Sequence, residues 1–212
     1  MRYRHEKLSG NGLKVCFIII LVVSIVFFSI RAVEKALGPS LDSLCKYYCD
    51  QSAVYTANKC VGEILKRDNI KYSDLSEIKY DDSGNISSID INTVKVNQLQ
   101  AEIVQSIIDD VSASNDNYIE VPIGSISGYY IFNGHGPKVR IRIISRGNIK
   151  TELRSKFEEA GINQSCHRLH LDIYIDMAAI FSGGEKKTTI KSSCMLAETI
   201  IVGDVPQGIL NT

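Results

Sequence analysis

Hydrophobic residues fall along this chain in three patterns. The first is an unbroken run, Val15 to Ile30 (VCFIIILVVSIVFFSI), sixteen residues without a charge. A helix apolar on every side belongs in a core or in lipid, and the position of the run near the N-terminus favours lipid. Sixteen helical residues reach about 24 Å, short of a hydrocarbon core of about 30 Å. Adding Leu13, Ala32 and Val33, with Lys14 and Arg31 snorkelling to the interfaces, extends the span to about 31 Å. A cleaved signal peptide is the main competitor. The exit reads FFSIRAVEKAL, with Arg31 where a small-x-small cleavage site would lie. We therefore expect an uncleaved transmembrane helix over residues 15–33.

The second pattern has helical spacing. From Ser40 to Arg67, Leu41, Leu44, Cys45, Tyr48, Tyr55, Val61, Ile64 and Leu65 recur at about 3.6 residues. Gly38-Pro39 just ahead predicts a bend or a fresh helix start. Val96, Leu99, Ile103, Val104, Ile107, Ile108 and Val111 form a second stripe at spacings of three and four, capped by Asn92 or Thr93.

The third pattern alternates. Ile78 and Tyr80, the turn residues Asp82-Ser83-Gly84-Asn85, then Ile89 and Ile91 predict a β-hairpin. Ile119 and Val121 suggest a short strand. The Gly-rich stretch 122–137 reads as a loop with a helical turn. Val139, Ile141 and Ile143 alternate next, and Ile149, Thr151, Leu153, Ser155 and Phe157 alternate after Gly147. His167, Leu169, Leu171, Ile173 and Ile175 follow, and Ser182-Gly183-Gly184-Glu185 turns the chain into Lys186–Val202. Each arm of this last hairpin is expected to run for about 14 residues, well beyond the usual strand. The expected fold class is α+β: a single N-terminal transmembrane helix, then long amphipathic helices packed on a mainly antiparallel sheet.

Charge sets the expected topology. Residues 1–14 hold Arg2, Arg4, Lys7 and Lys14 against Glu6, leaving 20 basic and 23 acidic residues for the rest. Basic residues before the span place the N-terminus in the cytoplasm. The expected organisation is a cytoplasmic tail (1–14), an anchor (15–33) and an extracytoplasmic α+β domain (34–212). The formal net charge is zero, which excludes a globally basic nucleic-acid binder.

No residue set commits to a reaction. Cys166, His167, His170 and Asp172 form the one cluster resembling a metal site, but on a strand His167 points away from the other three. Zinc needs three or four convergent ligands, so no metal or other cofactor is assigned. His135 could present a general base from its loop, but no nucleophile motif accompanies it. Asp81-Asp82 and Asp109-Asp110 lie in a turn and at a helix end, where solvated carboxylates are the rule. Outside the span, Cys45, Cys49, Cys60, Cys166 and Cys194 are odd in number and lack the spacing of a disulfide framework. No catalytic residue is proposed, and the chain is read as non-enzymatic.

Charge is polarised within the domain. Lys138 to Arg168 contains eight basic and three acidic residues; Asp81 to Glu120 contains eight acidic residues and Lys95. Lys138, Arg140 and Arg142 share one side of a strand, a candidate contact for an anionic surface, although a solvated sheet face is the commoner reason for such a row.

Several segments together resemble the sporulation protein YunB family of endospore-forming Firmicutes. They are the apolar span, GNISSIDINTVKVNQLQAEI, IEVPIGSISG, GHGPKVRIRI, LRSKFEEAGINQSCH and AETIIVGDVPQ. The most specific residues are Gly161, Ile162, Asn163, Gln164 and His167 of GINQ-x-x-H. Gly134, Gly136 and Pro137 of G-x-GP support them, as do Gly203, Val205 and Pro206 of the VG-x-VP ending. This chain departs from the family in reading VPQGILNT at its end and FSGG between the last two strands.

The resemblance implies a membrane protein needed for endospore formation, with no established reaction. We expect an assembly or scaffold factor at the forespore–mother-cell boundary that binds a protein partner. The alternative is an extracytoplasmic lipid-binding domain, with an apolar groove between sheet and helix, and a wall hydrolase using His167 or His135 is a third reading.

Overall fold

The computed structural model describes residues 10–82, 86–113, 118–161 and 163–203, with the backbone alone at 10–13, 30, 33 and 34. The elements in order are α1 (Gly10–Arg67), α2 (Tyr72–Leu75), β1 (Ser76–Tyr80), β2 (Ile86–Ile91), α3 (Thr93–Ala113), β3 (Tyr118–Pro122), α4 (Ile123–Ile126), a 3-10 turn (Tyr130–Phe132), β4 (Lys138–Gly161), β5 (Gln164–Phe181) and β6 (Gly184–Val202). Two compact units emerge: Cys45–Glu120 with Val139–Thr212, and Met1–Leu44 with Val121–Lys138.

In the larger unit, alternation along β4, β5 and β6, interrupted at bulges, divides most apolar from charged side chains. The four-stranded sheet has the order β3-β4-β5-β6, and β4–β5 and β5–β6 are antiparallel. One face carries Leu169, Leu171, Ile173 and Ile175 of β5, all at most 1% exposed. Across the ladder stand Cys194, Ser192 and Ile190 of β6, which are also buried. Full burial of each Leu or Ile contributes about 1.5–3 kcal/mol.

Two helices cover this face. The buried stripe of α1 reads Cys45, Cys49, Ala53, Ala57, Cys60, Val61 and Ile64. Its small side chains let the helix approach closely, and Cys194 Sγ of β6 meets Asn58 Oδ1 of α1 at 3.3 Å. In α3 the buried residues are Val96, Leu99, Ile103 and Ile107, one stripe at helical spacing. Thr56 donates to Asp110 at 3.3 Å and Arg67 pairs with Glu102, which fastens α1 to α3. A separate antiparallel pair, β1–β2, sits between α2 and α3 in the chain.

The expected α+β class and antiparallel sheet are observed. Asn92 caps α3 as expected, its Oδ1 accepting from Lys95 N–H at 3.1 Å. The β1–β2 hairpin lies where alternation placed it, with turn residues 83–85 outside the described residues. Among the described residues, no helix is long and apolar enough to cross a membrane. The transmembrane element expected over residues 15–33 therefore has no support among the described helices. The described side chains of that segment, Lys14 to Ser29, are all exposed on α1.

Local features depart from the sequence pattern or add to it. The helix does not break at Gly38-Pro39; α1 runs through both. Proline removes a single N–H donor, and Ser43 Oγ donates back to the Pro39 carbonyl at 2.9 Å. The strands before and after Gly147 are one strand, β4, with a shift in register between Ser145 and Ile149. Gly147 has φ +76°, and the alternation passes through a bulge there. The final hairpin arms are longer than expected, at 18 and 19 residues. The four-residue α2 was not visible in the periodicity, being barely one turn long.

Candidate functional site

The GINQ-x-x-H histidine lies at the end of the inward row of β5 and is 1% exposed. Two neighbouring elements converge on it. Tyr72 of α2 places its hydroxyl 2.6 Å from His167 Nδ1, and Ser155 of β4 places its Oγ 2.7 Å from Nε2. Phe157, the cross-strand neighbour, stacks on the imidazole at 4.4 Å and 19°, while the Tyr72 ring meets it edge-on at 5.6 Å. A neutral imidazole has one donor and one acceptor, so it satisfies both hydroxyls in either tautomer. Burial pushes the His167 pKa down and favours that neutral form.

The order Ser–His–Tyr resembles a nucleophile, a base and an orienting group. A phenol stands where a serine hydrolase places a carboxylate, and aromatic rings enclose the imidazole. The arrangement locks α2 to the sheet by local geometry. In the sequence Ser155 is only one alternating position, and nothing there points to Tyr72.

The other members of the metal-like cluster diverge. Cys166 faces Glu198 across the strands, with Sγ–Oε2 at 3.8 Å. Asp172 is 1% exposed and is held by Arg154 Nε at 2.6 Å and Lys191 Nζ at 2.7 Å. Among the described residues, no group of three His, Cys, Asp or Glu side chains could hold a metal. All six cysteines are free thiols. Burial, with contributions from Cys45 and Asp50, pushes the Cys49 thiol up to about 11.

Two motif pieces meet through the backbone. The Gly203 N–H donates to the Asn163 carbonyl at 2.8 Å, joining GINQ to the VG of the chain's ending. Gly161 pairs with Gln164 across the β4–β5 turn and has φ +158°. Ile162, Val205 and Pro206 lie outside the described residues.

In the smaller unit, the segment Val121–Lys138 closes on itself. Ile123 N–H donates to the Pro137 carbonyl (2.9 Å), Gly124 N–H to His135 (3.0 Å) and His135 N–H to Phe132 (3.0 Å). Ser125 Oγ donates to Asn133 Oδ1 at 2.8 Å and receives the Gly134 N–H at 3.0 Å. A Cβ on Gly124 would lie 1.8 Å from the Phe132 carbonyl oxygen, so only glycine fits there. Gly134 and Gly136 of G-x-GP have φ +78° and +97°, a region that favours glycine. Pro137 supplies the carbonyl that ends the closure. His135 is exposed, and its Nδ1 lies 2.9 Å from the Asn133 carbonyl.

Lys138, Arg140 and Arg142 are exposed on the strand side opposite the buried Ile141 and Ile143. Arg140 is already engaged: Nε lies 2.8 Å from Glu120 Oε1, and the guanidinium covers the Tyr118 ring at 5.1 Å. Elsewhere on the polar face, Arg168 pairs with Glu158 and Glu198, so part of the basic excess is neutralised across strands.

Antiparallel strands covered on one face by helices, with motif residues that close turns and join elements, define an α+β domain. Residues 118–208 match the sequence model of the family described as Sporulation protein YunB (Spo_YunB). The chain is also 23% identical over 204 residues to Sporulation protein YunB of Bacillus subtilis (strain 168), covering 89% of this chain and 80% of that protein. The resemblance read from the motifs is thus to the YunB sporulation family. No solved structure matches the chain.

Proposed function

We propose that this chain acts in endospore formation as a membrane-anchored, non-enzymatic assembly protein. Similarity to a sporulation protein over most of the chain carries the proposal. The anchor is proposed over residues 15–33. Sixteen charge-free residues on a helix whose large apolar side chains from Val15 to Phe28 are at least half exposed need a non-aqueous surrounding. With the basic residues ahead of it, the anchor leaves the N-terminus in the cytoplasm and residues 34–212 outside. The membranes at the forespore–mother-cell boundary are the proposed location.

A scaffold role suits a domain whose motif residues hold backbone and elements together. The Ser155–His167–Tyr72 chain ties α2 to β4 and β5, and the Asn163–Gly203 bond ties the last strand to the β4–β5 turn. The lipid-groove alternative draws little from the geometry. The inward row of β5 is covered, and the cleft between α1, α3 and the sheet holds about 160 Å³, lined in part by Ser52, Thr56, Lys59 and Asp110; an open groove between α1, β3 and β4, lined by Tyr48, Tyr55, Tyr118, Ile119 and Ile143 among others, holds about 370 Å³. The first is below, and the second at the bottom of, the range of about 300–1,000 Å³ typical of small-molecule sites, and neither is enclosed within the core.

The test is a functional fluorescent fusion followed through sporulation, with carbonate extraction and in-cell crosslinking. The expected result is a carbonate-resistant ring at the engulfing membrane, with a discrete crosslinked partner. A diffuse, carbonate-soluble protein with no crosslink would refute the proposal.

A further inference from the structure

The loop closed by Gly124 presents Tyr129, Tyr130, Ile131 and Phe132 in succession, with 69, 93, 84 and 57% of each exposed. Four consecutive large apolar side chains at a tip are more than the scattered singles normal on a surface, and they mark a contact. The tip is built to be held in place. Its base is closed by the Ile123–Pro137 and Gly124–His135 backbone bonds, residues 130–132 form a 3-10 turn, and the Tyr129 and Phe132 rings meet edge-on at 6.4 Å.

Three features select a bilayer surface as the occupant. Tyrosine beside Ile and Phe is the composition of the membrane interface, where an apolar ring lies in the acyl boundary and the hydroxyl stays wet. Residues 121–138 contain no Asp or Glu and end in Lys138, so no carboxylate repels anionic headgroups. The tip also belongs to the same compact unit as residues 1–44, which hold the exposed apolar run Val15–Phe28. We infer that residues 129–132 enter the headgroup and upper acyl layer of an anionic bilayer, as a second contact beside the anchor. The inference rests on the membrane reading above and goes beyond it by naming a surface that the anchor does not supply.

The chain contains no tryptophan, so Ile131→Trp places one fluorophore at the tip. At an 84% exposed position the larger ring meets no packing restraint, and Tyr130→Trp, at 93%, repeats the measurement. The full chain is reconstituted into phosphatidylglycerol–phosphatidylethanolamine vesicles and scored for flotation and fluorescence in the same samples. The expected result is flotation, a blue-shifted emission, quenching by acyl-brominated lipid and protection from iodide. Flotation with a tip that iodide still quenches overturns the inference and leaves the anchor standing. Protection from iodide without quenching by brominated lipid assigns the tip to a protein surface, a second copy included, and also overturns it. Failure to float refutes the membrane reading and the inference together.

Discussion

Replacing Asp172 by Asn preserves shape and removes one charge. Asp172 lies on the sheet face away from the helices, yet it is 1% exposed because two cations close over it. Arg154 of β4 contributes Nε at 2.6 Å and Nη2 at 2.7 Å, and Lys191 of β6 contributes Nζ at 2.7 Å. One carboxylate therefore ties the three longest strands together. Burial alone would raise its pKa. Hydrogen bonds from Arg154, Lys191 and Ser193 outweigh burial and hold the group well below the usual carboxylate range. The cations are 53% and 47% exposed, so water recovers them once the charge is gone. The loss should fall below the roughly 3–5 kcal/mol of a fully buried pair that loses one partner. A charge-assisted hydrogen bond is worth about 1.5–3 kcal/mol, and about 2 kcal/mol is expected after rehydration of the partners. In a chain of this size that lowers Tm by about 4–8 °C. Thermal unfolding of both proteins across pH measures it. The unfolded carboxyl titrates near about 3.9 and the folded one lower, so the stabilisation is complete well above about pH 4 and is lost as pH falls further. The gap between wild type and D172N should narrow in acid. An unchanged Tm at neutral pH, or a gap that stays constant into acid, would refute the reasoning.

Further outcomes follow from the local geometry. The depressed pKa of His167 means that the folded chain resists protonation there. Its contribution is present above about pH 6.5, the unfolded value, and is lost as pH falls below it. Tyr72→Phe and Ser155→Ala should each cost about 1 kcal/mol, read by thermal unfolding at neutral pH; variants as stable as wild type would show that the hydroxyl contacts are idle. Gly124→Ala should open the 121–138 loop, seen as new protease cleavage between residues 128 and 134, because its Cβ meets the Phe132 carbonyl. Gly134→Ala, with open space around it and φ +78°, should have the milder effect; the reverse ranking would contradict the steric account.

Much of the domain was legible as local pattern. The stripe Val96, Leu99, Ile103 and Ile107 announced α3, and the alternation from Leu169 to Ile175 announced a strand with one buried face. Both are legible because burial acts on each element's own period. The bulge at Gly147 is not legible, because a glycine between two alternating runs looks the same whether a strand ends there or continues through a bulge. Pro39 misled because a long helix tolerates one missing donor. Of the motif histidine, the sequence showed only that it faces inward.

The sequence by itself determined the α+β class, the charge-free run that motivates the proposed anchor, and the motifs that tie the chain to sporulation proteins. Tertiary structure alone decided what those motifs touch. Tyr72 reaches His167 from 95 residues away, Gly203 closes on Asn163, and Asp172 is buried between β4 and β6 on a face that alternation marks as exposed. The physical reason is register. Periodicity tells which side of a strand a residue occupies, whereas its partner depends on how far neighbouring strands slide, and bulges such as those at Gly147 and Leu169–His170 set that slide.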